Sequence, residues 1–121
     1  MKAVPRIKLR ASGRLVVNRA MLATMVGDAP KGTELLVTAV WAAKERMLGL
    51  RFEKEEGPEV RRVRVRRDGV LALGLGGSLA GFGVRVRGTQ VFEEVKVLEG
   101  CFTFGPVATT GRKVTVLDAA P

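Results

Sequence analysis

Two stretches of this chain carry the same pattern 56 residues apart, and any fold must house both. Residues 5–13 read Pro5-Arg-Ile-Lys-Leu-Arg-Ala-Ser-Gly13, and residues 61–69 read Arg61-Arg-Val-Arg-Val-Arg-Arg-Asp-Gly69. In both, cations alternate with aliphatic residues: Arg6, Lys8 and Arg10 against Ile7 and Leu9, then Arg62, Arg64 and Arg66 against Val63 and Val65. A period of two describes a strand that buries one face and shows the other to water. Laid over each other without gaps, residues 6–50 and 62–106 share eight identities: Arg6/Arg62, Arg10/Arg66, Gly13/Gly69, Leu15/Leu71, Gly27/Gly83, Gly32/Gly88, Thr33/Thr89 and Gly49/Gly105. Glycines pair with glycines and apolar positions with apolar ones, the mark of an internal duplication.

Each unit reads alike. A first strand (Arg6–Arg10; Arg62–Arg66) reaches a turn at Ser12-Gly13 or Asp68-Gly69, and Asp-Gly is a strong tight-turn signal. A second strand follows over Arg14–Val17 or Val70–Leu73. Asn18 then stands at a helix N-cap before Arg19–Met25, which Gly27 stops. The second unit is glycine-rich there, so a single helical turn capped by Ser78 is expected. Two more strands close each unit: Glu34–Ala42 and Met47–Glu53, then Gln90–Leu98 and Cys101–Phe104 with a turn at Glu99-Gly100. The charged, Gly-Pro-broken run Glu53–Glu59 reads as a surface linker. Residues 112–117 read as a final strand. The expected organisation is one domain, residues 1–121, made of repeats at about 6–52 and 62–106 plus that strand.

Charge points to the partner. Lys and Arg total 21 against 12 Asp and Glu, a net +9, and residues 1–20 hold six cations and no anion. Concentrated positive charge suits a polyanion. The candidate contacts are Arg6, Lys8, Arg10, Arg14, Arg19, Arg61, Arg62, Arg64, Arg66, Arg67, Arg85 and Arg87, with Lys31 able to widen the patch. Arginine forks hold phosphate oxygens bidentately, and same-face residues about 6.6–6.8 Å apart approach a phosphate spacing. Phe102 and Phe104 could stack bases, whereas Trp41, in an apolar run, reads as core.

Other chemistries are poorly supplied. There is no histidine, hence no histidine base and no usual zinc site, and the lone Cys101 can form no internal disulfide. The glycines at 74, 76, 77, 81 and 83 match neither GxGxxG nor the P-loop spacing. The expectation is no enzyme, no metal and no cofactor. No stretch reaches the roughly 20 apolar residues of a spanning helix, and no apolar leader opens the chain, so no membrane partner and a cytoplasmic setting are expected. The absence of Tyr and His beside abundant Arg and Val suits a thermophile.

At Ser12–Met25, followed by Lys31–Val37, the chain resembles the AbrB/MraZ/MazE swapped-hairpin domains: a Gly-Arg turn, a strand, a short helix, then a turn into another strand. The resemblance implies a cradle-loop barrel in which two copies interlock about a twofold axis, and a DNA-binding role for the basic paired sheet. By position it implies contacts at Arg10, Arg14, Arg19 and Arg66. Asn18 stands where those families usually have proline, and Thr33 and Thr89 replace the turn Asp. The fold class expected is therefore α+β, β-dominated, a tandem βαββ repeat forming one pseudo-twofold small barrel. The function expected is nucleic-acid binding, DNA ahead of RNA, as a regulator or architectural protein, with a homodimer possible. The alternatives are a sequence-neutral single-strand binder of DNA or RNA, and a structural, phage-like module that meets an acidic protein.

Overall fold

The structure is a computed structural model that describes residues 4–110. The protein is a β-dominated α+β fold of two antiparallel sheets and two short helices. In chain order the elements are β1 (Ile7–Leu9), β2 (Arg14–Val17), α1 (Arg19–Val26), β3 (Glu34–Ala42), β4 (Met47–Glu53), β5 (Arg61–Arg64), β6 (Leu71–Gly74), α2 (Gly76–Phe82), β7 (Gln90–Phe92), β8 (Lys96–Leu98) and β9 (Cys101–Phe104). The four-stranded sheet runs β6-β2-β1-β7 and the five-stranded sheet β5-β3-β4-β9-β8. The strand expected at 112–117 lies outside the described residues.

Alternation fixes which face goes inward. Ile7, Leu9, Leu15, Val17, Leu71 and Leu73 are buried from the four-stranded sheet, and Val37, Leu48, Leu50 and Phe104 from the other, in one cluster. Met21, Leu22 and Met25 of α1, with Leu75 and Leu79 around α2, complete it. Each such aliphatic is worth about 1.5–3 kcal/mol of burial. This core is what holds the sheets.

The two turns anticipated at Gly13 and Gly69 have one geometry. Arg10 N–H donates to the Arg14 carbonyl and Gly13 N–H to the Arg10 carbonyl; Arg66 N–H donates to the Val70 carbonyl and Gly69 N–H to that of Arg66 in the same way. Gly13 and Gly69 take φ of 94° and 81°, as the last residue of a three-residue hairpin loop requires. Each turn is seated on the helix of the other half of the chain. A Cβ at Gly13 would lie 2.6 Å from Gly76 Cα, and one at Gly69 would lie 2.9 Å from Arg19 Cγ and Cδ. Leu75 N–H also donates to the Gly13 carbonyl at 2.8 Å.

Two strand registers relate the halves. In the β2–β6 pair, Val16 stands opposite Ala72; in the β4–β9 pair, Leu48 stands opposite Phe104. Both pairs join residues 56 positions apart.

Three elements depart from expectation. The helix after β6 spans seven residues and starts at Gly76, with Ser78 inside it rather than at its cap. Burial of Leu75 and Leu79 one turn apart offsets the poor propensity of its glycines. The run 90–98 is two strands: β7 joins the four-stranded sheet and β8 the five-stranded one. Glu93, paired with Arg6, ends β7 on β1, while the Thr103 hydroxyl donates to the Lys96 carbonyl and fixes β8 on β9. Finally β5, at Arg61–Arg64, pairs with β3 and not with β6, so the two basic strands lie in different sheets. β8 is exposed throughout and leaves Val97 and Leu98 at an edge.

Gly13→Ala and Gly69→Ala both force a side chain into positive φ and should lower the unfolding free energy measured in urea by about 1–2 kcal/mol from the backbone alone. Gly13→Ala should lose more, because its methyl meets backbone whereas that of Gly69→Ala meets a flexible side chain. Arg19→Ala should partly rescue Gly69→Ala and not Gly13→Ala. A larger loss in Gly69→Ala would contradict this packing.

Candidate functional site

The four-stranded sheet turns its apolar alternates inward, so its other alternates form an open face. Lys8 stands between Val91 on β7 and Val16 on β2, and Val16 faces Ala72 on β6. One step toward the turn, Arg10 and Arg14 face each other across the hairpin, and Arg14 pairs with Gly74. Lys8, Arg10 and Arg14 therefore project from one face, with only small neighbours at Ala72 and Gly74. Arg10 and Arg14 are exposed and Lys8 is half-buried along its stem. Among the described residues none of the three makes an ion pair.

At the far end of β1, Asn18 organises the chain. Its Oδ1 accepts from Met21 N–H, the helix cap, and from Arg6 N–H, while its Nδ2 donates to the Val4 carbonyl. This ties β1 to the start of α1. Arg6 itself is engaged, with Nη2 3.0 Å from Glu93 Oε2.

The second basic strand has a different fate. Glu34 on β3 sits opposite Arg64 and takes both Arg62 (3.2 Å) and Arg64 (3.0 Å). Arg62 also meets Glu56 of the acidic linker, and Arg66 meets Asp68 at 3.3 Å. All three cations of this triad are thus neutralised by nearby carboxylates. The Arg64 hydrogen bond, helped by the charge of Arg62, holds the Glu34 carboxyl below its ordinary range. On β4, the Arg51 hydrogen bond and the Thr38 hydroxyl do the same to Glu53.

The remaining candidates fall in four places. Arg19 and Arg67, with Lys31 and Asp28, line a cleft between α1 and the β5–β6 turn. Arg85 lines a second cleft beside Ala11, Ser12 and Gly13, next to the Arg10/Arg14 hairpin. Arg87 borders a shallow depression with Arg46 and Pro106, and Arg61 is exposed on β5. Five of the six aromatic residues hold the core: Phe104 is 1% exposed and packs on Phe92, Phe102 packs edge-on against Phe52, and Trp41 lies against the same cluster, while Phe82 at the end of α2 is exposed. Base stacking by Phe104 is therefore ruled out. Among the described residues no group of metal-ligating side chains gathers, and no helix is long and apolar enough to cross a membrane.

The main neutralising partner was not legible in sequence. Glu34 lies 30 residues from Arg64, and only the β3–β5 register brings them together. Comparison with family models, with curated proteins and with solved structures found no match.

A carboxylate held below its ordinary pKa stabilises the fold above that ordinary value, and the contribution disappears as pH falls through the lowered one. Acid unfolding followed by circular dichroism should therefore lose stability below the ordinary glutamate range, and Glu34→Gln should flatten part of that slope. Added salt should shrink the effect, since both partners are exposed. An unchanged acid limb in Glu34→Gln would show that this pairing contributes nothing.

Proposed function

We propose that this protein binds nucleic acid through the outer face of its four-stranded sheet, duplex DNA ahead of RNA. One observation carries the reading: Arg10 and Arg14 stand opposite each other with Lys8 two residues along, and no carboxylate among the described residues answers them. Like charges directly opposed across strands are destabilising. The corresponding turn resolves that conflict, since Arg66 faces Val70 and takes Asp68. Cations retained against the interest of the fold suit an external polyanion. The guanidinium forks of Arg10 and Arg14 would take phosphate oxygens bidentately, with Lys8 as a point charge beside them. Arg85, across the hairpin turn, extends the surface. Single-strand binding is less well served, because this face offers no aromatic platform for bases.

The architecture proposed for this binder is a duplicated swapped-hairpin barrel. Three observations support it. The two turns share one hydrogen-bond pattern, each is seated on the other half's helix, and Val16/Ala72 and Leu48/Phe104 face each other. A twofold axis that carries residue i to i+56 must pass between such pairs, one in each sheet. The resemblance to AbrB-type domains supports the same face with two of its four implied contacts, Arg10 and Arg14, whereas Arg19 lines the α1 cleft and Arg66 is paired with Asp68. The role of a binder rather than an enzyme rests on a chain without histidine, whose cations outnumber its carboxylates.

Fluorescence anisotropy with labelled duplex and single-stranded oligonucleotides tests the site. Lys8→Ala/Arg10→Ala/Arg14→Ala should weaken duplex binding and lower the salt slope by roughly 0.9 for each phosphate no longer neutralised. Arg62→Ala/Arg64→Ala/Arg66→Ala should change binding far less. The reverse order, or no binding at low salt, would overturn the assignment. In thermal melts Arg14→Val should keep or raise stability, by up to about 1 kcal/mol, while weakening the complex. A destabilised Arg14→Val would instead give that arginine a structural role.

A further inference from the structure

We propose that the cleft between α1 and the β5–β6 turn is a binding site for a phosphate-class anion, distinct from the sheet face. The cleft encloses about 290 Å³ and is lined by Arg19, Lys31, Arg67 and Asp28. That volume is near the lower limit for small-ligand pockets. Three cations against one carboxylate leave two positive charges, matching a phosphate dianion. Among the described residues none of the three cations makes an ion pair or a side-chain hydrogen bond.

The frame around these cations is fixed. Gly32 N–H donates to the Val65 carbonyl at 2.9 Å and Val65 N–H to the Thr33 carbonyl at 2.8 Å. Lys31 and Arg67 each lie within two residues of that pair, so the loop and the turn cannot drift apart. Arg19 lies across the turn with its stem on Gly69, where any larger residue would displace it. Two guanidinium forks and an ammonium, presented from α1 and from two segments bonded to each other, are the usual equipment for phosphate oxygens.

The second cleft acts as an internal control. It occupies the corresponding place between α2 and the β1–β2 turn, holds about 340 Å³, and is lined by Ala11, Ser12, Gly76, Leu79, Val84 and Arg85 among others. At the repeat offset of 56, Leu75 stands in the place of Arg19 and Ala11 in that of Arg67, while Arg87, in the place of Lys31, borders a different depression. The same backbone arrangement closes with one cation instead of three, so the fold does not require the charges at α1. They concentrate positive charge in one cleft of two.

The phosphate could belong to a small molecule or to a nucleic-acid backbone, and one set of variants separates these. Inorganic pyrophosphate is titrated calorimetrically into the full chain at fixed ionic strength. Wild type should show one saturable site. Lys31→Ala/Arg67→Ala, both exposed positions, should weaken it at least tenfold with an unchanged melting temperature. Lys8→Ala/Arg10→Ala/Arg14→Ala should leave it within about twofold, whatever that variant does to oligonucleotide binding. Absence of a saturable site, an unchanged affinity in the Lys31/Arg67 variant, or an equal loss in the sheet variant would each overturn the proposal. Given the site, pyrophosphate that competes with a labelled duplex assigns it to backbone phosphate. Pyrophosphate that binds without competing assigns it to a free phosphorylated ligand.

Discussion

The contact on which this fold depends is the seating of each hairpin turn on the opposite helix. Gly13 comes down on the backbone of Gly76 and is held by the Leu75 amide, while Gly69 rests on the stem of Arg19. Neither contact tolerates a side chain on the glycine without a shift. Because the turn from one half meets the helix from the other, neither half can bury its core alone. The interlocking also brings β2 against β6 and so builds the four-stranded sheet whose outer face carries the free cations. Packing and charge display follow from the same arrangement.

Electrostatics then distinguishes two strands that look alike. Exposed ion pairs contribute only about 0–1 kcal/mol, so the pairing of Arg62, Arg64 and Arg66 with Glu34, Glu56 and Asp68 matters little for stability. Its consequence is a strand with little charge left to offer. Lys8, Arg10 and Arg14 keep theirs. An alternating Arg-Val pattern was thus a sound guide to strand and burial, and a poor guide to available charge.

Much of the fold was legible because it is local. The three-residue turns, the Asn18 cap, Gly27 at the end of α1, and the bounds of β2, β3 and β4 all follow from short-range chemistry. What escaped depends on register. The break between β7 and β8 depends on distant partners, since Phe92 pairs with Ile7 in one sheet and Val97 with Phe102 in the other. α2 forms despite its glycines because Leu75 and Leu79 are buried by strands distant in sequence. In the site, Lys8 and Arg10 were visible from alternation and Arg14 from the resemblance, whereas the gathering of Arg19, Lys31 and Arg67 around one cleft needed the turn to cross to the other half.

The unequal halves bear on direction. A binder with two matching faces about a twofold axis meets a target that shares the axis, and inverted repeats are the result. Here the Glu34 clamp takes two cations of the second basic strand, while the first gives up only Arg6, to Glu93, and the strands differ. The sheets have a charged strand and a quieter one, and the cation-rich cleft lies at the turn that follows the quieter strand. On the binding face proposed above, polarity of this kind would set which way round an extended polyanion lies, without asking the polyanion to be symmetric.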